Sequence, residues 1–195
     1  MSEIQIKPVS EADLNELKNR MKLIVDADPS QYHNDFSLKR YLRAFKTVDD
    51  AFKAILKTNK WKIEYGVNEL NPDVPVVKKN LDANKARVLR HRDMQGRPVI
   101  YIPAKNHNAT NRDIDELTKF IVYCLEEACK KCFEEVVDNL CIVFDLKDFG
   151  VTCMDYQLVK NLIWLDENTT SKVKFVNSED QLCRYLIPDI LPTDI

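Results

Sequence analysis

The sequence predicts an α/β chain, with a helical region over residues 1–75 and a domain with a mostly parallel sheet over residues 76–195. Helical apolar spacing fills the first region, whereas short apolar runs alternate with helical patterns from Ala86 onward. Such alternation is typical of parallel strands joined by helical crossovers. The stretch Asn-Pro-Asp-Val-Pro at residues 71–75 interrupts both patterns and marks the boundary.

Three helices are predicted in the first region. A capping box at Ser10 begins the first helix, which stops before Pro29. The second carries an apolar stripe and has Lys46 in its last turn, and a capping box at Thr47 begins the third, which ends near Gly66. The cations that surround the apolar stripe of the second helix are Lys39, Arg40, Arg43 and Lys46.

Strands and helices alternate in the second region. Apolar runs flank a turn with a final glycine at residues 93–96, which predicts a β-hairpin. Thr110 begins a capping box for a long helix, and the continuous apolar run at residues 140–144 predicts a buried parallel strand. The remaining predicted elements are a helix over Tyr156–Trp164, a strand over Val173–Val176 and a helix from Ser178 that ends before Pro188.

The composition excludes several functional classes. Three glycines in 195 residues argue against the Gly-rich phosphate loops of Rossmann and P-loop domains. The longest apolar runs, about five residues, are far below the roughly 20 that a membrane-spanning helix needs. The first residues lack an apolar signal core, and so we expect a cytoplasmic protein.

Cysteine and carboxylate chemistry stays open as an alternative, although we expect no enzyme, metal or cofactor. Cys124, Cys129 and Cys132 match an iron–sulfur spacing, but on a periodic helix they would point in different directions. The three histidines are far apart and lack the paired spacing of zinc ligands, and no cysteine lies in a local nucleophile motif. For Asp145 and Asp148, turn and capping roles are favoured over catalysis.

A basic run extends from Lys78 to Arg97. It is either an ordinary solvated surface or a contact for an anionic lipid or membrane, for which each well-placed cation contributes about 1 kcal/mol. Nucleic acid is not expected, because no aromatic stacking residues are interleaved with these cations. The cations assigned to the membrane interpretation are Lys78, Lys79, Arg87, Arg90, Arg92 and Arg97.

Four stretches resemble the CRAL-TRIO family, which includes phosphatidylinositol, tocopherol and retinaldehyde transfer or binding proteins. The basic helix Leu-Lys-Arg-Tyr-Leu-Arg-Ala-Phe-Lys and the hairpin Asp-Met-Gln-Gly-Arg-Pro-Val are similar to family motifs. So are Cys-Ile-Val-Phe-Asp-Leu and the segment Asp-Glu-Asn-Thr-Thr-Ser-Lys-Val with its C-terminal tail. These stretches are residues 38–46, 93–99, 141–146 and 166–173, with the tail at 182–192.

The resemblance implies that a sheet floors an apolar cavity for one lipid. In phosphatidylinositol-binding members, a lysine at the end of the basic helix and a Thr-x-Ser-Lys turn contact the head group. Lys46, Thr169 and Lys172 match these positions, whereas Phe45 departs from the arginine that often precedes the lysine. The residues that we assign to the lipid pocket by this resemblance are Tyr101, Phe120, Cys124, Ile142, Phe144, Leu158 and Leu162.

The chain departs from the family between Leu165 and Asp166. Family members place a buried strand and a gate helix there, whereas this chain passes directly from one residue to the next. The resemblance therefore implies an α/β domain that lacks one strand and its lid. An unpaired strand edge and an uncovered apolar face would then leave an open pocket, a less stable fold or pairing with another chain.

The expected function is binding and intermembrane transfer of a hydrophobic lipid, with a phosphoinositide as one candidate, during transient contact of a cytoplasmic protein with membranes. The alternative is a protein-interaction module, for example one that binds a small GTPase, or an isoform that has lost the cavity. The expected partners are thus a lipid ligand, a membrane surface and, in the alternative, another protein.

Overall fold

The computed structural model describes residues 7–132, 139–157 and 173–192, in which six α-helices and one three-stranded sheet form. These residues fall into two units, the first ending at Glu69 and the second beginning at Leu70. Each unit has a hydrophobic core of its own. The boundary predicted at residues 75 and 76 stays a prediction.

The first unit contains α1 (Glu11–Ala27), α2 (Asp35–Ala44) and α3 (Val48–Tyr65). Two predicted caps are confirmed, since Ser10 Oγ accepts from the backbone N–H of Asp13 and Thr47 Oγ accepts from that of Asp50. Gly66 ends α3 with φ of +70°, a left-handed conformation that favours glycine. The buried apolar residues are Leu14, Leu17, Met21, Leu38, Ala51 and Ile55.

The end of α2 differs from the prediction. Lys46 was expected in the last turn, but α2 ends at Ala44 and Phe45 has extended backbone angles of φ −114° and ψ 148°. Thr47 must also be extended in order to cap α3, so the chain leaves one helix before it enters the next. Lys46 therefore lies in the bend between α2 and α3.

The second unit contains a sheet of β1 (Arg87–Arg92), β2 (Pro98–Pro103) and β3 (Cys141–Asp145), in that spatial order. β1 and β2 form the predicted antiparallel hairpin, and β3 pairs with β2 in parallel, as predicted. The described sheet thus has one antiparallel and one parallel pairing and is a mixed sheet.

Three helices accompany this sheet: α4 (Pro75–Asp82), α5 (Ile114–Lys130) and α6 (Glu179–Leu182). α4 was not predicted, although proline at its first position is a known start signal. The predicted cap of α5 was wrong by three residues. Asp113 Oδ1, rather than the Thr110 hydroxyl, accepts from two helical N–H groups, at 2.8 and 3.0 Å.

The C-terminal segment also differs from the sequence prediction. Residues 173–177 form no strand, and Val173 and Phe175 are 49% and 84% exposed. A strand requires a paired neighbour, which a local sequence pattern cannot supply. The predicted helix over Tyr156–Trp164 is described only at its first two residues, and its remainder lies outside the described residues.

The two faces of the sheet pack against different elements. Ile100 contributes to the core on the face covered by α5, where Phe120 and Cys124 are also buried. Val99 and Tyr101 point to the opposite face, where Leu191 and its neighbours pack. The alternation of side chains along β2 thus divides the second unit into two apolar layers.

The turn of the β-hairpin is organised by a buried carboxylate. Asp93 has no exposed side-chain area, and its oxygens accept from the backbone N–H groups of Gln95 and Arg97, at 3.0 and 2.8 Å. The Arg97 guanidinium donates to the same carboxylate at 2.5 Å. Gly96 has φ of +80°, which completes the turn. The Asp-x-x-Gly-Arg motif therefore has a structural role in this turn.

We predict that Asp93→Ala lowers the free energy of unfolding by about 3 kcal/mol, since it leaves the partly buried Arg97 charge and two N–H groups without their acceptor. Asp93→Asn retains one acceptor and should cost less. Urea denaturation measures both changes, with the exposed Asp82→Ala as a control expected within about 0.5 kcal/mol of the parent. Equal losses for Asp93→Ala and Asp82→Ala would refute the role of the carboxylate.

His33 lies in the segment that connects α1 to α2, and its hydrogen bonds hold this segment against α3. His33 Nε2 lies 2.9 Å from Asn59 Oδ1, and His33 Nδ1 lies 2.7 Å from Ser37 Oγ. An amide oxygen only accepts, so Nε2 carries the proton and Nδ1 accepts from the hydroxyl. Burial lowers the pKa of His33, the Asn59 hydrogen bond opposes this shift, and the Lys62 charge adds to it.

Because the folded state disfavours protonated His33, the unfolded state binds more protons below the ordinary histidine pKa. This group's contribution to stability is therefore complete above about pH 6.5 and is lost as the pH falls. When the pH is lowered from about 8 to about 5.5, we expect the free energy of unfolding, measured by urea denaturation, to fall less in His33→Gln than in the parent. The same loss in both proteins would contradict this role.

Candidate functional site

One face of the sheet is covered by α5 at β1 and β2. On the same face, β3 presents apolar side chains to solvent. Ile142 and Phe144 are 46% and 58% exposed. In the parallel register they pair with Ile100 and Ile102, which pack in or against the core beneath α5. The apolar layer of that core thus continues onto β3, where it becomes accessible.

This exposure is unusual for a parallel strand, because both faces of a parallel sheet are normally covered. α5 packs over β1 and β2, while the face of β3 on the same side stays open. In the part of the chain that the structure describes, no strand pairs with the outer edge of β3. The run at residues 140–144 was predicted to be buried, and exposure of Ile142 and Phe144 corrects that expectation.

Three other residues predicted to line the lipid pocket are described by the structure, and they lie in two different places. Phe120 and Cys124 are 1% and 4% exposed and lie within the core beneath α5. Tyr101 lies on the opposite face of the sheet, and its hydroxyl donates to Asp145 Oδ2 at 2.6 Å. The remaining two pocket candidates, Leu158 and Leu162, lie outside the described residues. The pocket assignment stays a prediction.

The head-group candidates are described only in part. Lys46 is exposed in the bend between α2 and α3. Thr169 and Lys172 lie outside the described residues. Their joint contact with a lipid head group therefore stays a prediction.

Two of the six cations assigned to a membrane patch are paired with acids. Lys79 Nζ lies 2.7 Å from Glu116 Oε2, and Arg97 is held by the buried Asp93. These pairings reduce the positive charge that the two residues present to an anion.

The other four cations lie on α4 and β1. Arg87 donates to the side chain of Asn84, and Arg92 donates to the backbone oxygens of Gly96 and Lys131. The remaining two, Lys78 and Arg90, are exposed. Cations on an edge strand also oppose edge-to-edge aggregation, so β1 has a structural reason for its charge.

A buried ion cluster joins the segment before α5 to the segment after β3. Arg112 holds Asp155 with two hydrogen bonds, Nε to Oδ2 at 2.6 Å and Nη2 to Oδ1 at 2.9 Å. His107 Nε2 lies 3.0 Å from Asp155 Oδ2, and the carboxylate side chain is 3% exposed. Sequence reasoning missed this cluster, because Asp155 is more than 40 residues from both His107 and Arg112 and shares no motif with them.

The cysteines differ widely in accessibility. Burial raises the pKa of the Cys124 thiol to about 12, and burial also raises the pKa of Cys141. Cys183 is exposed, whereas Cys129 and Cys132 are partly buried. Among the described residues, no three histidine, cysteine or acidic side chains form a group that could hold a metal ion. None of the described helices combines the length and apolar character required to cross a membrane.

We predict that a thiol reagent labels Cys183 of the folded protein well before Cys124, because the thiolate is the nucleophile and Cys124 is both buried and protonated. Peptide mass spectrometry after timed labelling provides the ranking. Unfolding in urea should bring the two rates to within about threefold, since the ordinary thiol pKa is then common to both. Rapid native labelling of Cys124 would contradict its burial.

Comparison with known proteins supports the resemblance drawn from the motifs. The CRAL/TRIO domain model matches residues 82–163. A CRAL-TRIO domain-containing protein of Schizosaccharomyces pombe is 27% identical in an alignment of 196 positions that covers 80% of this chain and 44% of the relative. The phosphatidylinositol transfer protein CSR1 of Eremothecium gossypii is 29% identical over 140 residues, which cover 66% of this chain and 32% of the relative.

The chain spans less than half the length of these relatives. The matched residues 82–163 include the β-hairpin, α5 and β3, and therefore the exposed apolar face. The resemblance to the CRAL-TRIO family that the sequence motifs indicate is confirmed by the domain match over residues 82–163.

Proposed function

We propose that this protein binds a lipid on the exposed face of β3 and transfers it between membranes. The observation that carries the proposal is the accessible apolar surface of Ile142 and Phe144. A relative named as a phosphatidylinositol transfer protein supports the same class of ligand. We infer no catalytic step.

An acyl chain fits the chemistry of this surface. Ile142 and Phe144 extend the apolar layer to which Ile121 and Leu125 of α5 contribute at the margin of the core. Covering each CH₂ group of a lipid contributes about 0.8 kcal/mol, and the protein surface loses water contact at the same time. A chain laid along β3 would supply the cover that a parallel strand normally has.

The head-group part of the proposal concerns Lys46, Thr169 and Lys172. Two ammonium groups and a hydroxyl suit an inositol phosphate, because charged donors form stronger hydrogen bonds with phosphate oxygens than neutral donors do. Support comes from the match of these residues to family motifs and from the exposed position of Lys46. Recognition of a phosphoinositide head group is thus a more specific proposal than the binding of a lipid on β3.

We further propose a cytoplasmic protein that contacts membranes transiently through the cations of α4 and β1. The same proposal includes a missing segment between Leu165 and Asp166, where family members have a further strand and the gate helix that serves as a lid. The open outer edge of β3 in the described sheet is consistent with it. A pocket without a lid should exchange its lipid more readily than a closed one.

A second candidate function is protein interaction by a chain that no longer encloses a lipid. The observation in its favour is a series of exposed apolar side chains after β3. Their exposed fractions are 55% for Leu146, 42% for Phe149, 84% for Val151 and 62% for Met154. Exposed apolar patches commonly mark interaction sites. A small GTPase is one partner class for this alternative.

We predict that the double substitution Ile142→Asn and Phe144→Asn weakens lipid binding roughly 30-fold, which corresponds to about 2 kcal/mol of lost apolar contact. Transfer of fluorescent phosphatidylinositol between vesicles and native mass spectrometry of the purified protein measure the effect. Since both side chains are already exposed, the free energy of unfolding should change little.

Val151→Asn is the matched control, because Val151 is 84% exposed in the same unit but lies outside the sheet. Full transfer by the double variant would refute the β3 site. A folded parent protein that neither carries nor transfers lipid would instead favour the protein-interaction alternative.

A further inference from the structure

The outer edge of β3 is open to pairing in the part of the chain that the structure describes. Among residues 7–132, 139–157 and 173–192, the sheet ends at β3, and no strand lies beside it on the side away from β2. An edge strand presents a row of backbone N–H and C=O groups that another strand can bind. α5 packs on β1 and β2, and residues Pro188–Ile190 pack on β1, so the packing of both elements is centred away from this edge.

The opposite edge of the sheet is protected in two ways that β3 lacks. β1 carries Arg87, Arg90 and Arg92, and its register with β2 shifts between Val88 and Arg92. Charged side chains and an irregular register both keep an edge strand from pairing with another chain. β3 reads Cys-Ile-Val-Phe-Asp, with a regular register along all five residues and one charge at its end. Of the two edges, β3 is therefore the one at which a further strand can bind.

The sequence of β3 is complementary to a second copy of itself. In an antiparallel pairing about a two-fold axis at Val143, each Ile142 lies opposite Phe144 of the other copy. Side chains placed in this way have Cβ atoms about 5 Å apart, and pairs of an aromatic and a β-branched residue stabilise a sheet. Ile142 and Phe144 share one face of the strand and are 46% and 58% exposed, so both are available for such pairs.

The same register keeps the charge of β3 away from its counterpart. Asp145 lies opposite Cys141 of the other copy, whereas a register centred on Asp145 would place two carboxylates opposite each other, where like charges are destabilising. Within its own copy, Asp145 accepts hydrogen bonds from the Tyr101 hydroxyl at 2.6 Å and from the backbone N–H of Lys147 at 2.9 Å. The register centred on Val143 also pairs the strand along its whole length.

We propose that two copies of this chain associate through the outer edges of β3, in an antiparallel pairing centred on Val143. The product is a six-stranded sheet in which the exposed apolar faces of the two β3 strands are neighbours. Because an edge lies in the plane of the sheet, a second copy and an acyl chain would contact different sides of β3. The inference concerns the same strand as the proposed lipid site, but it requires no lipid.

The first test measures the mass of the lipid-free full chain by sedimentation equilibrium over a wide range of protein concentration. We expect a reversible equilibrium between one copy and two, without larger species, because a two-fold contact uses both outer edges. A chain that stays a single copy at every concentration would overturn the proposal and would indicate that the edge is closed within one copy. Open-ended growth beyond two copies would overturn it as well.

Hydrogen exchange locates the contact. Backbone amides of residues 141–145 that face the outer edge should exchange more slowly at high protein concentration than at low concentration, since pairing protects them. Amides of β1 are the control at the opposite edge, and we expect their exchange to be independent of concentration. Concentration-dependent protection elsewhere, with none in residues 141–145, would show that the copies meet at another surface and would overturn the proposal.

Paired charges test the register. The double substitution Ile142→Glu and Phe144→Lys places each new carboxylate opposite a new ammonium group, and we expect a dimer within about tenfold of the parent's affinity. Ile142→Lys with Phe144→Lys places like charges opposite each other, and we expect its dimer to be on the order of 30-fold weaker than that of the first variant. Equal dissociation constants for the two variants would overturn the pairing.

A control of matched charge separates the edge from net charge. Val151→Lys with Met154→Lys adds the same charge as the like-charge variant at residues that are 84% and 62% exposed and lie outside the sheet, and it should dimerise as the parent does. Equal weakening in this control would mean that net charge governs association, and would overturn the proposal. All substituted side chains are exposed, so each variant should remain folded in urea denaturation of dilute protein.

Lipid transfer separates this inference from the proposed function. Both variants at Ile142 and Phe144 place charges on the apolar face and should lose transfer, whereas only the like-charge variant should lose the dimer. A parent protein that dimerises but carries no lipid would refute the lipid site alone. A parent protein that transfers lipid but stays a single copy at every concentration would overturn the pairing alone.

Discussion

The parallel pairing of β3 with β2 is the constraint on which the second unit depends. It aligns Ile142 and Phe144 with Ile100 and Ile102, so that one apolar layer runs across both strands. α5 packs on the part of this layer formed by β1 and β2. Since both faces of a parallel strand pair are normally covered, the open part of β3 is where we propose that a lipid binds.

The surrounding structure holds this face in place. The buried Asp93 carboxylate fixes the turn between β1 and β2, and the backbone N–H of Met94 donates to the Tyr185 oxygen at 2.9 Å, which connects that turn to the C-terminal segment. Arg112 and Asp155 join the segments before α5 and after β3. The contacts of Asp93 and of Arg112 with Asp155 are buried or partly buried, so breaking either costs more than losing a surface pair.

Local signals in the sequence were sufficient for much of the fold. The caps at Ser10 and Thr47 and the turn at residues 93–96 depend on side chains within four residues, and the structure confirms them. The helix α4 was missed because Pro75 terminates one pattern and begins another. The strand predicted over Val173–Val176 was wrong because strand formation depends on a distant partner.

The candidate site was predictable to a smaller extent. The motif around β3 identified Ile142 and Phe144 as pocket candidates, but their exposure depends on which elements cover the sheet. Sequence patterns also gave no sign that Arg112, His107 and Asp155 meet. Contacts between residues this far apart depend on tertiary packing, for which a single sequence has no local signal.

We place the lipid on the exposed face of β3. Photo-crosslinking with a phosphatidylinositol that carries a diazirine near the end of one acyl chain can locate the bound lipid. After irradiation and peptide mass spectrometry, we expect crosslinks concentrated within residues 140–145, with Ile142 and Phe144 as the main attachment sites. Crosslinks elsewhere that leave residues 140–145 unmodified would rule out a lipid site on β3.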